Sequence, residues 1–239
     1  MKEVCINSKS IIDFFERRVQ KDQSLYTTML QDVNLAKSRN LEEAKILERL
    51  FPGDKKLSIL DLGCGSGRLL RLFLSRNKIL SYVGIEGVAQ LVEQLRQECD
   101  PDVYSFYCVD LESDFSSFIQ GQPDAILLSG ILIYLNDSAV KNILKTIVKI
   151  ASEKSSIYIR DPISMLENRF VLSNHFSSEL QDTYSACYRT EKELIEHFFL
   201  ILIEGGFELK KVDYVYHDPG LNNRRETIQK YFFFAKAGV

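Results

Sequence analysis

An α/β fold with a largely parallel sheet is predicted on three observations. Short apolar runs alternate with longer amphipathic ones, the first short run empties directly into a glycine-rich turn, and the chain closes on two apolar runs separated only by a polar loop. Parallel neighbours need a crossover, usually a helix, between them, which accounts for the alternation.

In chain order, the first fifty residues read as helical. Ile11, Phe14, Phe15 and Val19 fall on one face, and a second helix runs from Asn40 through Ile46 to Leu50. Helices placed ahead of a first strand commonly cover a site, so residues 1–50 are read as a cap. Strands are expected at Leu57–Leu62, Tyr82–Glu86, Val103–Val109, Ala125–Ser129 and Ser156–Arg160, each short and rich in β-branched or aromatic residues, as buried parallel strands are. Helices are expected between them at Ser66–Arg76, Val88–Glu98, Ser113–Ile119 and Asp137–Ser152.

The rhythm then breaks at Pro162–Thr190, a stretch too long for an ordinary loop unless it has its own structure or a function. Thr190 and Glu193 have capping-box spacing and open a helix that passes Phe198 and Leu202 and stops at Gly205-Gly206. Phe207–Tyr216 and Lys230–Ala235 follow as two strands joined by Asp218–Arg225, which suggests an antiparallel pair at one edge. The expectation is one domain over 1–239, made of the 1–50 cap, a core half at 57–161, the 162–190 insertion, and a C-terminal helix with two edge strands at 191–239.

Composition narrows the partners. Hydrophobic residues make up 45% of the chain, enough for a real core, and 30 basic against 33 acidic residues leave a net charge of -3. No global field attracts a polyanion, so nucleic acid is not the default partner. The five cysteines are odd in number and scattered, without the paired spacing of a zinc site or a disulfide framework, which fits a reducing cytoplasm. Met1–Phe15 is interrupted by Lys2, Glu3, Lys9 and Asp13 and lacks a signal-peptide core, and no segment approaches the roughly 20 apolar residues of a membrane span.

The chemistry concentrates at the glycine turn. Leu57–Leu62 runs into Gly63-Cys64-Gly65-Ser66-Gly67, and Leu69, Leu70 and Phe73 follow on a helix. Glycines there let the backbone turn tightly while a ligand lies against it and helix N-terminal amides face that ligand. Asp61 stands two residues before Gly63 at the strand end, where such sheets bind ligands. A carboxylate at that place works against a pyrophosphate but suits a ligand bearing an ammonium and a sulfonium. Glu86 ends the second strand, close to where an acidic residue accepts hydrogen bonds from ribose hydroxyls. A nicotinamide-dependent oxidoreductase would need Gly-x-Gly-x-x-Gly, and here the third glycine comes one residue early.

Leu60-Asp61-Leu62-Gly63-Cys64-Gly65-Ser66-Gly67 resembles the first signature of class I S-adenosylmethionine-dependent methyltransferases. Glu86-Gly87 is similar to that family's acidic second-strand motif, Asp110-Leu111 to the position that meets the adenine amino group, and Ser129-Gly130 to the fourth-strand exit at the methionine end. The resemblance implies a seven-stranded doubly wound sheet, mostly parallel with an antiparallel last strand and helices on both faces. It implies S-adenosylmethionine as cofactor and S-adenosylhomocysteine as product. Asp61, Gly63, Cys64, Gly65, Glu86, Gly87, Asp110, Leu111, Ser129 and Gly130 would then hold the cofactor. Related small-molecule enzymes often use an arginine of the N-terminal cap for the methionine carboxylate, which points to Arg39, with Tyr26 nearby in sequence. Plain readings stand beside these: Asp110 as a helix cap, Ser129 as strand-end filler, Arg39 as a solvated charge.

Methyl transfer from a sulfonium is an in-line displacement in which proximity supplies much of the rate, so a dedicated base is optional. Asp161 in Arg160-Asp161-Pro162 leaves the fifth strand where an acceptor would approach, and the alternative is a turn aspartate beside proline. His175 has the chemistry of a general base, though a lone histidine in an insertion is often a surface residue. Tyr134, Tyr184 and Tyr188 are further candidates. His197 reads as structural and His217 as part of a turn, and three dispersed histidines make no metal constellation.

The exit Ser129-Gly130-Ile131-Leu132 departs from the Asn/Asp-Pro-Pro-aromatic pattern of relatives that methylate exocyclic amines of bases and some glutamines. Lys141, Lys145 and Lys149 form a stripe that either touches phosphates or is a solvated helix face. Met165, Phe170, Phe176 and Tyr188 suit a lid over a modest organic substrate and equally suit a core. The expectation is methyl transfer to an oxygen or nitrogen of a small metabolite. The alternatives are methylation of tRNA or a protein side chain, and a non-catalytic partner subunit.

Overall fold

The computed structural model describes residues 6–21, 32–177, 180–222 and 224–236. Seven strands form the main sheet: β1 (Leu57–Leu62), β2 (Ile79–Glu86), β3 (Tyr104–Cys108), β4 (Ala125–Ser129), β5 (Ser156–Ser164) and, beyond a separate hairpin of β6 (Phe170–Ser177) and β7 (Asp182–Tyr188), β8 (Phe207–Tyr214) and β9 (Thr227–Lys236). Their order is β3-β2-β1-β4-β5-β9-β8. β1 to β5 pair in parallel, and β9 slots in antiparallel to both β5 and β8. The seven-stranded α/β class and the antiparallel edge pair are as the sequence predicts.

Side chains alternate between the faces of a strand, so each strand feeds two cores. Leu60 and Leu62 of β1, Ile126 and Leu128 of β4, Ile157 and Ile159 of β5, and Phe232 and Phe234 of β9 pack on one face. Against them lie α5 (Asp137–Ile150), through Val140, Ile143, Leu144 and Ile147, and the helical segment after β7, through Leu194, Phe198, Phe199 and Leu202. Leu57, Ile59, Leu127, Tyr158 and Tyr231 pack on the other face with Ile46 and Leu47 of α2 (Val33–Leu50), Leu69, Leu70 and Phe73 of α3 (Arg68–Leu74), and Val92 and Leu95 of α4 (Ala89–Glu98).

Several elements differ from expectation. The second helix begins at Val33, where Asp32 caps it by accepting from the Asn34 and Leu35 amides, and it packs on the sheet as well as covering the site. The expected helix at 113–119 shrinks to a single turn of 3-10 helix at Ser116–Phe118. The Thr190 hydroxyl accepts from the Glu193 amide at 3.1 Å, but the Glu193 carboxylate pairs with Arg169 instead of closing the capping box. The helix that follows has three pieces, α6 (Glu191–Glu193), a π-helical turn at Leu194–Phe198 and α7 (Leu200–Glu204). The 162–190 insertion divides between a continuation of β5 and the β6–β7 hairpin.

That hairpin carries α1 (Ser8–Lys21). Ile11 and Phe14 of α1 share a small core with Leu172, Tyr184, Ala186 and Cys187 of the hairpin and with Ile133 and Tyr134. At the base of the hairpin Arg189 donates to the Leu132 and Leu135 carbonyls and to Asp137, each at 2.7 Å from one of its terminal nitrogens. The insertion is therefore a bracket that holds α1 over the C-terminal edge of the sheet.

Candidate active site

A cavity of about 320 Å³ opens at that edge, beneath α1 and beside the start of α2. This is where an open α/β sheet binds its ligands, since the strand order reverses between β1 and β4. The glycine turn forms its floor. Gly63, Gly65 and Gly67 all have positive φ, and the Gly63 and Cys64 amides donate to the Ile85 carbonyl at 2.8 and 3.1 Å. A Cβ on Gly63 would collide with Ile131, whereas one on Gly65 would meet nothing, so Gly65 faces open space. Gly63→Ala is expected to cost about 1–2 kcal/mol from the left-handed backbone alone. Chemical denaturation measures that cost, and an unchanged midpoint would show that the turn is looser than this geometry.

The acidic residues stand in strand order along the edge. Asp61 on β1 is buried and accepts from the Tyr82 hydroxyl at 2.6 Å. Burial pushes its pKa up to about 7, against the pull of Tyr82 and Arg68. Glu86 at the end of β2 accepts from the Gly65 amide at 2.9 Å and the Val88 amide at 3.0 Å. Burial raises its pKa too, and those amides oppose the shift. A carboxylate offers about four lone-pair sites, so two amide bonds leave capacity for a ribose. Asp110 after β3 also lines the cavity and accepts from the Glu112 amide at 2.9 Å, a local turn that leaves its second oxygen available.

Beyond β1 the edge changes character. Ser129 and Gly130 lie at the end of β4, Arg160 lies within β5 and Gln229 lies on β9, and all four line the cavity together with Arg39, Arg68 and Tyr216. Beneath them Glu43 of α2 is buried at 1% exposure. It pairs with Arg68 at 2.6 Å, lies 4.0 Å from Arg160, and accepts from the Ser129 hydroxyl at 2.9 Å and the Tyr158 hydroxyl at 3.1 Å. Burial alone would raise its pKa. The Arg68 and Arg160 guanidiniums overcome that and hold it at about 2.

The expected site residues fall into two groups. Asp61, Gly63, Cys64, Gly65, Glu86, Gly87, Asp110, Leu111, Ser129, Gly130 and Arg39 all line the cavity. Arg39 is not a solvated charge: it is buried, donates to the Leu221 carbonyl at 2.6 Å, and sits 5.9 Å from the Tyr216 ring. Tyr26 lies outside the described residues.

Asp161 and His175, the two expected catalytic groups, do not line the cavity. Strand alternation is the reason for Asp161. Arg160 and Pro162 point to the cavity side, while Asp161 between them is buried on the other face near the Leu132 and Ile133 amides, with its Oδ1 left without a hydrogen-bond partner. Burial pushes its pKa up to about 8, against the pull of Arg189 and Arg160. His175 lies on the hairpin, half-buried, with its ring edge-on to Tyr184 at 6.0 Å. Of the tyrosines considered, Tyr134 lines the cavity, whereas Tyr184 and Tyr188 belong to the bracket core. Lys141, Lys145 and Lys149 are exposed, His197 is exposed on the π-helical turn, and His217 is exposed.

Sequence reasoning missed Glu43, Arg68, Arg160, Tyr216 and Gln229. Charged residues at helical spacing in α2 and α3 look like solvated surface, and Gln229 lies just ahead of the expected Lys230–Ala235 strand, whereas β9 starts at Thr227.

Comparison with known proteins fits this geometry. Residues 59–154 match a family described as a methyltransferase domain. That span holds the glycine turn, Glu86, Asp110 and Ser129, and the fold around it is the class I Rossmann-like one. A Leishmania major protein described as an S-adenosylmethionine-dependent methyltransferase superposes with a TM-score of 0.68 at 15% identity, covering 95% of this chain and 82% of its own. The complex of DhpI with S-adenosylhomocysteine gives 0.63 at 17% identity, covering 97% and 98%. An S-adenosylmethionine-dependent methyltransferase from Mesorhizobium loti gives 0.61 at 15% identity, covering 81% and 97%. At these identities the likeness is one of fold. A search of curated proteins gave no significant sequence match. No helix among the described residues is long and apolar enough to cross a membrane.

Proposed function

We propose that this methyltransferase moves a methyl group from S-adenosylmethionine to an oxygen or nitrogen of a small metabolite, acting as one domain in the cytoplasm. The observation that carries the reading is the row of Asp61, Glu86 and Asp110 around the glycine turn, inside a cavity that α1 roofs. Those residues fit the cofactor. Asp61, desolvated and lacking a cation of its own beyond Arg68, suits an ammonium, and Glu86 with spare lone pairs suits ribose hydroxyls. Gly65, with open space where a side chain would be, lets a ligand lie on the backbone.

When bound, S-adenosylmethionine supplies an electrophilic methyl on a sulfonium. The chain itself orients and excludes water. Ile11, Ile12 and Phe15 of α1 close the roof with apolar surface, and Tyr134 and Ile131 flank the β4 exit. Holding an acceptor in line with that methyl converts a bimolecular step into a unimolecular one, which is the largest contribution positioning can make. The limited cavity volume and the apolar roof favour a small organic acceptor over a macromolecular one.

Calorimetric titration with S-adenosylmethionine and with NAD tests the donor. Saturable binding of S-adenosylmethionine alone is expected, weakened about tenfold or more in Glu86→Ala through loss of charge-assisted hydrogen bonds. Binding of NAD, or of neither ligand by folded protein free of carried-over cofactor, would overturn the reading.

A further inference from the structure

The cavity is electrically polarised along the strand order, and one half is left without a matching ligand. Asp110, Glu86 and Asp61 leave or end β3, β2 and β1. On the other side of the strand-order reversal, Arg68, Arg39 and Arg160 line the wall with Tyr216 and Gln229. Glu43 is the carboxylate paired with this wall, and it lies behind it rather than on it.

The geometry of Arg160 is specific. Its Nη2 donates to the Tyr216 hydroxyl at 2.7 Å, and the guanidinium lies 5.9 Å from the Tyr216 ring centre. Its Nε is buried with no hydrogen-bond partner, and among the described residues no hydrogen bond engages Nη1. A side chain on Gly130 would come within 3.3 Å of that Nη1, so the glycine at the β4 exit leaves room for the guanidinium to reach the cavity. Gln229 stands beside it, because β9 pairs Gln229 with Pro162; its side-chain oxygen is buried without a partner, and rotation of the amide turns its NH2 donors toward an anion. Buried polar groups left unmade are costly, and the unengaged Nη1, on a residue that lines the cavity, is where a ligand would complete the contacts this side chain lacks.

The proposed donor does not complete them. S-adenosylmethionine carries an ammonium and a sulfonium against one carboxylate, so its net charge is positive. Its carboxylate satisfies one guanidinium and its positive centres face the acidic half, which leaves the other guanidiniums of the wall without an anion from the donor. We infer that the methyl acceptor carries a carboxylate, seated on Arg160 and bordered by Tyr216 and Gln229. This rests on the methyltransferase reading above and names the class of acceptor for it. A guanidinium fork is matched to a carboxylate in geometry as well as charge, and the sulfonium beside it adds attraction.

The test uses full-length protein loaded with S-adenosylhomocysteine and titrated calorimetrically with acetate, succinate and benzoate against acetamide, succinamide and benzamide. Loading is checked first, and failure to load would sink the cofactor reading rather than the inference about Arg160. In the loaded protein at least one carboxylate is expected to bind saturably and at least tenfold tighter than its amide. Arg160→Gln is expected to abolish that preference and Arg160→Lys to restore part of it. Should Arg160→Gln fail to fold, Gln229→Leu is expected to weaken the same carboxylate severalfold while cofactor affinity holds. Carboxylates binding no better than amides, or an undiminished preference in folded Arg160→Gln, would overturn the inference.

Discussion

Asp61→Asn is expected to make the protein more stable and its cofactor binding weaker. The side chain is 2% exposed, and its neighbours are a hydroxyl, one guanidinium and two further carboxylates, Glu43 and Glu86. Desolvation lifts its pKa from 3.8 to about 7. The folded protein therefore holds this proton more tightly than the unfolded chain does. Stability contributed by Asp61 is full below about pH 4, falls as pH rises through the window from 4 to 7, and is lost above it. A shift of that size corresponds to a cost on the order of 4 kcal/mol at high pH. Asparagine keeps the Tyr82 hydrogen bond and carries no charge to desolvate, so a gain of about 1–3 kcal/mol at pH 8 is expected.

Cofactor affinity should move the other way. An ammonium favours the ionised carboxylate, so wild-type affinity for S-adenosylmethionine is expected to rise between pH 5.5 and 7.5, by at most about tenfold per unit. In Asp61→Asn that rise should flatten and affinity should drop. Asp161 also has a raised pKa, about 8, and titrates in both proteins, so the difference between wild type and variant isolates Asp61. Urea denaturation at several pH values, paired with calorimetry, measures both effects. An equally steep affinity profile in the variant would move the ammonium site elsewhere. Such a trade of stability for binding is what a desolvated ligand-facing charge produces.

The glycine turn and the strands around it were legible because their signals are local. Glycines with positive φ, apolar runs and the acidic strand ends all lie within a few residues of what they determine. The β6–β7 hairpin was not, because its strands are specified by packing against α1 and Tyr134 rather than by their own alternation. Asp161 and Arg160 show the sharper limit. The segment reaches the cavity through Arg160 and Pro162, yet a shift of one residue moves a strand side chain to the opposite face. The extension of β5 to Ser164, paired throughout with β9, fixes that parity, and no pattern within 156–162 declares which face holds the cavity. Glu43 was invisible for a different reason: its partners lie 25 residues away at Arg68, 86 at Ser129 and 115 at Tyr158.

Glu43→Ala is expected to be the most damaging substitution outside the glycine turn. It removes the carboxylate that Arg68, Arg160, Ser129 and Tyr158 share, and strands two guanidiniums against a buried wall. Breaking a buried ion pair by deleting one partner costs about 3–5 kcal/mol, since the remaining charge stays desolvated. The pH dependence has the opposite sense to that of Asp61. Glu43 has a folded pKa depressed from 4.5 to about 2, so its contribution is complete above about pH 4.5 and is lost as pH falls through 2. That depression corresponds to stabilisation on the order of 3 kcal/mol at neutral pH. Glu43→Gln separates charge from shape: it retains an acceptor for Ser129 and Tyr158 but opposes an amide to Arg68, so most of the loss should persist. Because Ser129 and Arg68 also line the cavity, both variants should weaken cofactor binding as well as folding. Denaturation curves that match the wild type at pH 7 while acid unfolding is also unchanged would mean that α2 is held to the sheet by its apolar contacts at Ile46 and Leu47 alone.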